Sequence, residues 1–185
     1  QTFCGRAWWM MKWCGHEAAA ILDGGMAAWQ AAGGAMASGF APHVPAKSAY
    51  PLAAPLVAVT ALGTVWRHLD SDQTIVDARA PARYRGDVEP LDPIAGHIPG
   101  ALNLPFNENF DADGRFKSRD SLRQMWLELL GDCNHAHVVM HCGSGVSAVP
   151  NVVSMALAGF PTPALYAGSW SEWSRHPETP KTKAV

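Results

Sequence analysis

Residues 138–148, Val-Val-Met-His-Cys-Gly-Ser-Gly-Val-Ser-Ala, constrain the fold of this chain more than any other stretch. They open with two adjacent valines in a short apolar run, which predicts a buried strand. Glycines and serines then interrupt the run, and after Ser147 apolar residues return at the spacing of a helix face. Those residues are Val149, Val152, Val153, Ala156 and Leu157. Cys142 is therefore expected where a strand ends, a tight loop turns and a helix begins.

This expected position gives Cys142 a chemical role. The start of a helix leaves backbone N–H groups unpaired at the positive end of the helix dipole. A glycine-rich loop can also turn successive N–H groups toward one centre, which forms a nest for an anion. Such a cradle favours the thiolate, the nucleophilic form of cysteine. The hypothesis requires that the amides converge on the sulfur and that the sulfur opens to solvent. The predicted cradle residues are Gly143, Ser144, Gly145, Val146 and Ser147.

Three other readings of the same loop are weaker. A buried structural cysteine is common in proteins, but it needs no Gly-Ser-Gly sequence after it. A Walker A phosphate loop would contain Gly-Lys-Ser or Gly-Lys-Thr, which this stretch lacks. A cysteine phosphatase would need an arginine at the position of Ala148 to grip phosphate. The loop therefore favours a nucleophilic cysteine of another class.

Segments of strand and helix character alternate along the chain, which indicates an α/β fold with a mostly parallel sheet. In such sheets active sites lie at the carboxyl ends of the strands, where Cys142 is expected. The expected strands are 19–22, 56–59, 74–77, the run at Val138 and one at Leu165. The expected helices are 6–14 ending at Gly15, 26–32, one from Thr60 as N-cap to His68, one starting at Pro81, one with Asp120 as N-cap, one after Ser147 and one at Ser171.

Four motifs together resemble the rhodanese family, and they occur in the order typical of that family. The loop Cys142–Ala148 resembles its active-site loop in the version typical of 3-mercaptopyruvate sulfurtransferases, since thiosulfate-preferring members usually carry basic residues after the cysteine. The other motifs are Ile-Val-Asp-Ala-Arg at 75–79, Gly-His-Ile-Pro-Gly-Ala-Leu-Asn at 96–103 and Gly-Ser-Trp-Ser-Glu-Trp at 168–173. The resemblance spans residues 57–185. It implies a rhodanese-like domain with a mostly parallel five-stranded sheet flanked by helices.

The resemblance also implies roles for individual residues. Cys142 would be the nucleophile, and Arg83 would grip the anionic group of the substrate with two parallel hydrogen bonds. Ser144 would donate a hydrogen bond to the substrate or relay a proton. In mercaptopyruvate-type members a second substrate arginine often follows the Glu-Pro of this region. Here Glu89-Pro90 is followed by Leu91, so one of two expected anion clamps is missing.

Neighbouring residues are expected to have structural roles. Asp77 and Arg79 would form a pair beneath the loop, and His97 would bond the backbone around its turn. Arg85 is expected on the surface. His141 would point away from the nucleophile, and the tryptophans Trp170 and Trp173 would pack in the core.

The implied reaction moves a sulfane sulfur from 3-mercaptopyruvate, or alternatively thiosulfate, through a Cys142 persulfide. The acceptor would be cyanide or a thiol such as thioredoxin or a small thiol. The resemblance implies no cofactor and no metal. The remaining alternative from another class is a non-catalytic rhodanese module that retains the cysteine.

The first 39 residues repeat the end of the chain in one ungapped register. Gly15, Gly24 and Trp29 match Gly159, Gly168 and Trp173, with a constant offset (159 − 15 = 168 − 24 = 144). On this register the counterpart of Cys142 would precede Gln1. Because the family often has two tandem domains with the catalytic cysteine in the second, we expect residues 1–39 to be the remnant of a first domain, 40–55 a linker and 56–185 the catalytic domain. The missing piece or a second copy would cover the apolar surface of the remnant.

Composition excludes several other classes. The 14 Lys and Arg nearly balance 16 Asp and Glu, so the chain lacks the charge of a nucleic-acid binder. No apolar run approaches the ~18 residues that suggest a membrane span. None of the four cysteines pairs in a C-x-x-C motif, and no metal cluster is expected. The start lacks a signal-peptide pattern, and a first residue other than Met suggests lost upstream sequence. A reactive thiol fits a reducing, cytoplasmic setting.

Overall fold

The computed structural model of the protein describes residues 2–40, 49 and 51–183. Within them, five strands form one parallel sheet in the order β1-β5-β4-β2-β3, which confirms the predicted fold class. Strand β4 is central, between β5 and β2. The strands are β1 Val59–Thr60, β2 Thr74–Asp77, β3 Leu102–Asn103, β4 Val138–His141 and β5 Ala164–Tyr166.

Helices cover both faces of the sheet. Successive residues of a strand point to opposite faces, so the three central strands β2, β4 and β5 contribute to two apolar clusters. Val76, Met140 and Leu165 belong to one cluster, which includes residues of α1, α5 and α6. Ile75, Val139 and Tyr166 belong to the other, with residues of α3 and α7. The helices are α1 Thr2–Trp13, α2 Gly25–Ala31, α3 Leu62–Arg67, α4 Pro81–Arg85, α5 Arg119–Leu130, α6 Val149–Leu157 and α7 Ser169–Arg175, with short 3₁₀ turns at Phe106–Asn109 and His135–His137.

Two predicted helix starts were wrong. Thr60 is the last residue of β1, where it pairs with Tyr166, and α3 begins two residues later without a side-chain cap. Helix α3 therefore follows a strand that lies further along the chain than predicted. Asp120 lies inside α5, and Ser118 is the N-cap, because its hydroxyl accepts a hydrogen bond from the amide of Ser121.

The N-terminal segment forms helices but no strand. Helix α1 ends before Gly15, which has a φ of 80°, as the sequence predicted. The predicted strand at 19–22 was wrong: these residues are irregular. A strand needs a neighbour to pair with, and no strand of the described residues lies beside this segment. Helix α1 packs instead on α6, where its Trp9 is buried.

The helix bounds preserve the internal repeat. Helices α2 and α7 correspond residue for residue, since Gly25 and Ala31 lie 144 positions before Ser169 and Arg175 (169 − 25 = 175 − 31 = 144). Helices α1 and α6 end at Trp13 and Leu157, which have the same offset. The repeat that the sequence indicates is therefore also present in the backbone.

The predicted linker, residues 40–55, is only partly described, and its prolines Pro42 and Pro45 lie outside the described residues. Its described part has no helix or strand. Its end is attached to α1, because the amide of Ala53 donates to the carbonyl of Cys14 and the amide of Leu56 to that of Lys12.

Residues 180–183 return to the body of the domain. The amide of His97 donates to the carbonyl of Thr182 (2.8 Å), and the amide of Thr182 donates back (3.1 Å), which forms an antiparallel bridge. The ring Nδ1 of His97 lies 2.8 Å from the carbonyl oxygen of Tyr84. His97 therefore has the structural role that the sequence predicted.

Membrane-spanning helices are absent from the described residues. Their longest helices, α1 and α5, have 12 residues each, well short of the ~20 that a bilayer requires.

Candidate active site

Cys142 directly follows the central strand β4, and α6 begins at Val149. The predicted order of strand, loop and helix is therefore confirmed. Pro150 lies in the first turn of α6, where its missing N–H breaks no helical hydrogen bond. The cysteine thus lies at the carboxyl edge of a parallel sheet, where such sheets hold their active sites.

The first turn of α7 fixes the orientation of the loop. The amides of Trp170 and Ser171 donate to the carbonyl oxygens of Cys142 (3.0 Å) and Gly143 (2.9 Å). The C=O and N–H of a trans peptide point in opposite directions. Because α7 holds these two carbonyls, the N–H groups of Gly143 and Ser144 point away from α7.

The loop amides are not used by the protein itself. Within the described part of the chain, the N–H groups of residues 143–147 donate to no protein acceptor. Unpaired amides in one turn are what an anion cradle needs, so this arrangement agrees with the predicted role of residues 143–147.

Close contacts explain why position 145 of the loop is a glycine. Gly145 has a φ of 72°, in the region that favours glycine, and a Cβ there would collide with the carbonyl oxygen of Ala167. At Gly143 a Cβ would lie 3.4 Å from Nη1 of Arg83. The guanidinium of Arg83 therefore lies directly beside the loop.

The Cys142 thiol is less accessible to solvent than a nucleophile that must meet its substrate was expected to be. Cys142 is only 1% exposed, and it belongs to the apolar cluster that contains Met140 and Val149. The prediction that the sulfur is open to solvent was therefore wrong, because a residue that continues a central strand lies within the core. Ser144 is exposed, and Val146 and Ser147 are half-buried, so the loop itself reaches the surface.

Arg83 is brought to the loop by the short helix α4, whose first residue, Pro81, favours a helix start. Its Nε and Nη2 donate to Glu89 at 3.2 and 2.6 Å, and Nη2 also lies 3.5 Å from Asp92. Nη1, the atom nearest Gly143, has no hydrogen-bond partner among the described residues. Arg85 instead forms an exposed pair with Asp87, so the structure separates the two arginines as predicted.

Glu89 organises this cluster, although none of the sequence motifs indicated it. It accepts hydrogen bonds from Arg83, from Arg79 (3.2 Å) and from the amide of Leu91 (3.1 Å). Burial alone would raise the pKa of Glu89. The hydrogen bonds from Arg83 and from the amides of Leu91 and Asp92, with the positive charge of Arg83, outweigh burial and hold the pKa below its ordinary value. Its place before Pro90, in a loop that follows the Arg83 helix, was the one sequence signal that could have indicated it.

The predicted pair of Asp77 and Arg79 is present. Arg79 Nη2 lies 2.7 Å from the Asp77 carboxylate and 2.7 Å from the carbonyl of Gly96. A second buried carboxylate, Asp92, lies 3.4 Å from Arg175 and accepts no hydrogen bond from the described residues. Three arginines thus face three carboxylates around the site, and their formal charges cancel.

The remaining predicted residues lie behind the loop. His141 is fully buried, with Nδ1 at 3.1 Å from the carbonyl oxygen of Cys142. Burial, more than its charged neighbours, lowers the pKa of His141. Trp170 and Trp173 are fully buried in the core, as expected. Cys133 is exposed and precedes β4, at the opposite end of the sheet from Cys142.

Fold and site together define a class of protein: an α/β domain in which the central parallel strand carries a cysteine into a glycine-rich loop. The model of the rhodanese-like domain matches residues 62–176, and the chain belongs to this family. The resemblance inferred from the four motifs is therefore confirmed.

Relatives with assigned names are longer than this chain. A Pseudomonas aeruginosa protein named as a probable 3-mercaptopyruvate sulfurtransferase is 43% identical over 181 residues, covering 97% of this chain and 63% of that protein. Mycobacterium tuberculosis SseB, provisionally named a thiosulfate sulfurtransferase, is 40% identical over 177 residues, covering 95% of this chain and 61% of that protein. The chain therefore spans less than two thirds of each.

A solved structure has the same fold. An anaerobic ergothioneine biosynthesis enzyme from Chlorobium limicola superposes with a TM-score of 0.87 at 24% identity, covering 98% of this chain and 45% of that one. The match includes the N-terminal helices, so their placement on the domain belongs to the shared fold.

Proposed function

We propose that the chain is a sulfurtransferase that moves a sulfane sulfur from 3-mercaptopyruvate to a thiol or cyanide through a persulfide on Cys142. The observation that carries this proposal is the row of unpaired amides at residues 143–147, directly after Cys142, of which those of Gly143 and Ser144 point away from α7. The names of the curated relatives support the same class of reaction.

In the first step the Cys142 thiolate attacks the sulfur of the donor. A new S–S bond forms while the C–S bond of 3-mercaptopyruvate breaks, and the electron pair leaves with the three-carbon fragment as pyruvate enolate, which then takes a proton. The loop amides and Arg83 Nη1 stabilise this departing anion. Ser144, exposed at the tip of the loop, donates a hydrogen bond or relays the proton.

In the second step an acceptor thiolate or cyanide attacks the outer sulfur and releases the Cys142 thiolate. Small thiols and thioredoxin are the acceptor classes we propose, and the residues need no cofactor or metal for either step. A reducing, cytoplasmic setting would keep the thiol available.

The charges around the site favour 3-mercaptopyruvate over thiosulfate. The positive charges of three arginines are balanced by three carboxylates, in pairs formed by Arg79, Arg83 and Arg175 with Asp77, Glu89 and Asp92. One guanidinium nitrogen, Nη1 of Arg83, lies beside the loop without a hydrogen-bond partner among the described residues. Leu91 occupies the place where mercaptopyruvate-type members often have a second arginine, and this difference counts against 3-mercaptopyruvate. Arg6 adds one further cation at the loop, where its Nη1 donates to the carbonyl of Gly145 (3.4 Å). One cation in excess of the carboxylates suits a single carboxylate better than the dianion thiosulfate. Thiosulfate remains the alternative donor, which the name of the mycobacterial relative supports.

We also propose that residues 1–39 are the remnant of a first domain, 40–55 a linker and 56–185 the catalytic domain. The shared register of α1–α2 with α6–α7 and the greater length of the relatives support this division. The partner of the remnant would be the missing piece or a second copy.

A non-catalytic module is the second candidate function. If the missing domain is required for access to the buried Cys142, the isolated chain would be such a module, and the 1% exposure of that residue is the observation that favours it.

Peptide mass spectrometry after treatment with each donor tests the proposal. We expect Cys142 to gain the mass of one sulfur atom with 3-mercaptopyruvate and to lose it on addition of a thiol. Cys142→Ser should reduce turnover about a thousandfold or more, because a serine hydroxyl cannot form a persulfide and Cys133 lies at the opposite end of the sheet. Cys133→Ser is the matched control, since that thiol is exposed but lies at the other end of the sheet.

Two outcomes would contradict the proposal. Turnover retained by Cys142→Ser would exclude the cysteine mechanism. An unmodified Cys142 in the wild type, with sulfur found on the exposed Cys133 instead, would favour the non-catalytic module.

A further inference from the structure

The Gly-Ser-Trp motif at 168–170 contains an unusual backbone conformation. Ser169 has a φ of 54°, and it is the one non-glycine residue with positive φ in the described part of the chain. It is also fully buried. A residue with a Cβ rarely adopts this conformation and keeps it only where its surroundings require it. The serine at this position therefore needs an explanation beyond the turn.

Its hydroxyl joins the end of β5 to the nucleophile. The Ser169 Oγ donates to the carbonyl of Tyr166 (2.9 Å) and accepts from the amide of Cys142 (3.2 Å). A hydroxyl has one hydrogen, so once it is used on Tyr166 the oxygen is left as an acceptor for the Cys142 N–H. Together with the amides of Trp170 and Ser171, it fixes three backbone groups of Cys142 and Gly143.

The internal repeat offers a natural comparison for this position. Gly25, the counterpart of Ser169, begins α2 with a φ of 59°, almost the same angle. A Cβ at Gly25 would meet nothing within 4 Å. The turn itself can therefore be made with glycine. The copy that contains Cys142 has a serine instead, for which the same positive φ is strained.

From this we infer that Ser169 is a positioning residue, which holds the peptide of Cys142 so that the thiol faces the row of loop amides. The inference rests on the proposed function and adds to it a residue outside the loop. It also gives the start of α7 a role in catalysis besides packing its two tryptophans in the core.

Two variants of the full chain separate the hydroxyl from the turn. Ser169→Gly relaxes the backbone and removes the hydroxyl, whereas Ser169→Ala removes the hydroxyl and keeps the strained φ. We expect both to lower kcat for persulfide formation about tenfold, with KM for 3-mercaptopyruvate changed less than about twofold. Only Ser169→Ala should also lower the melting temperature. Ser174→Ala, a buried serine of α7 whose hydroxyl has no hydrogen-bond partner among the described residues, should leave kcat unchanged.

A second readout does not depend on sulfur transfer. The rate at which iodoacetamide modifies Cys142, followed across pH, should fall in Ser169→Gly and stay unchanged in Ser174→Ala. If Ser169→Gly keeps the kcat and the alkylation profile of the wild type, the serine only supports the fold and the inference is wrong. If the wild type forms no persulfide, the proposed function fails separately, and the alkylation profiles still decide the role of Ser169.

Discussion

The two copies of the helix pair, α1–α2 and α6–α7, share their register but differ in burial. Met155 and Trp173 are fully buried, whereas their counterparts Met11 and Trp29 are 41% and 43% exposed. In the second copy these side chains pack on the sheet, and beside the first copy no strand of the described residues is present. Local sequence is therefore enough to place the helices, but their burial depends on the sheet beneath them.

One contact lies between equivalent residues of the two copies. Gly5 and Val149 occupy the same place in the repeat, and a Cβ at Gly5 would lie 3.4 Å from Cγ1 of Val149. Contact between equivalent positions is the mark of packing about a two-fold axis. This supports our proposal that α1 belongs to a first domain, because α1 then presents to α6 the face that two tandem domains would share.

The largest effect that we expect from this comparison concerns stability. Met155→Ala should lower the free energy of unfolding by about 2–5 kcal/mol, because it leaves a cavity between α6 and the sheet. Met11→Ala, at the same place in the other copy, should cost less than about 1 kcal/mol, because its side chain is partly in water. Chemical denaturation of both variants measures the difference. Equal losses would mean that Met11 is covered in solution, by a second copy or another polypeptide.

A smaller effect should separate the arginines of α4. Arg83→Lys should lower kcat/KM for 3-mercaptopyruvate about 10- to 100-fold, because a lysine cannot bond Glu89 through two nitrogens and also point a third toward the loop. Arg85→Lys is the matched control, since its exposed pair with Asp87 lies away from the loop. Steady-state assays of both variants provide the measurement. A similar loss in both would remove Arg83 from the site.

The smallest effect should come from the pH dependence of Glu89. Because its pKa is lowered in the folded protein, the stability that it contributes is complete above its ordinary pKa of about 4.3 and is lost as the pH falls through the lower folded value. Glu89→Gln should therefore be less stable than the wild type at pH 7, by on the order of 1 kcal/mol. The gap should close in acid, where the wild-type carboxyl is also protonated.

Denaturation curves at neutral and acidic pH test this expectation. Glu128→Gln, an exposed change on α5, should show no such closing gap. A constant difference between Glu89→Gln and the wild type across the whole pH range would contradict the assigned pairing with Arg83.

Much of the fold could be predicted because its signals are local. The alternation of strands and helices, the strand 74–77, the Pro81 helix and the loop after β4 depend on patterns a few residues long. The strand at 19–22 failed because strands depend on a neighbour, which the sequence of the segment does not contain. The cap at Asp120 failed because Ser118, two residues earlier, competes for the same role.

The residue types of the site could be predicted from the sequence, but the burial of its cysteine could not. Cys142 and Arg83 lie together as the motifs implied. Contacts between distant segments determine the burial of Cys142, the pairing of two arginines with Glu89 and the hydrogen bond from the Cys142 amide to the Ser169 hydroxyl. No local pattern carries that information.

The bridge between His97 and Thr182 has a practical consequence for anyone who shortens or extends this chain. The carbonyl of Gly96, beside that bridge, accepts a hydrogen bond from Arg79, and both Arg79 and Arg83 donate to Glu89. Deletion of Thr182, or a bulky fusion placed right against it, would loosen this connection from a point about forty positions after the cysteine. An affinity tag is therefore better separated from Lys183 by a flexible spacer, and a drop in donor affinity after C-terminal trimming should not be read as damage to the thiol.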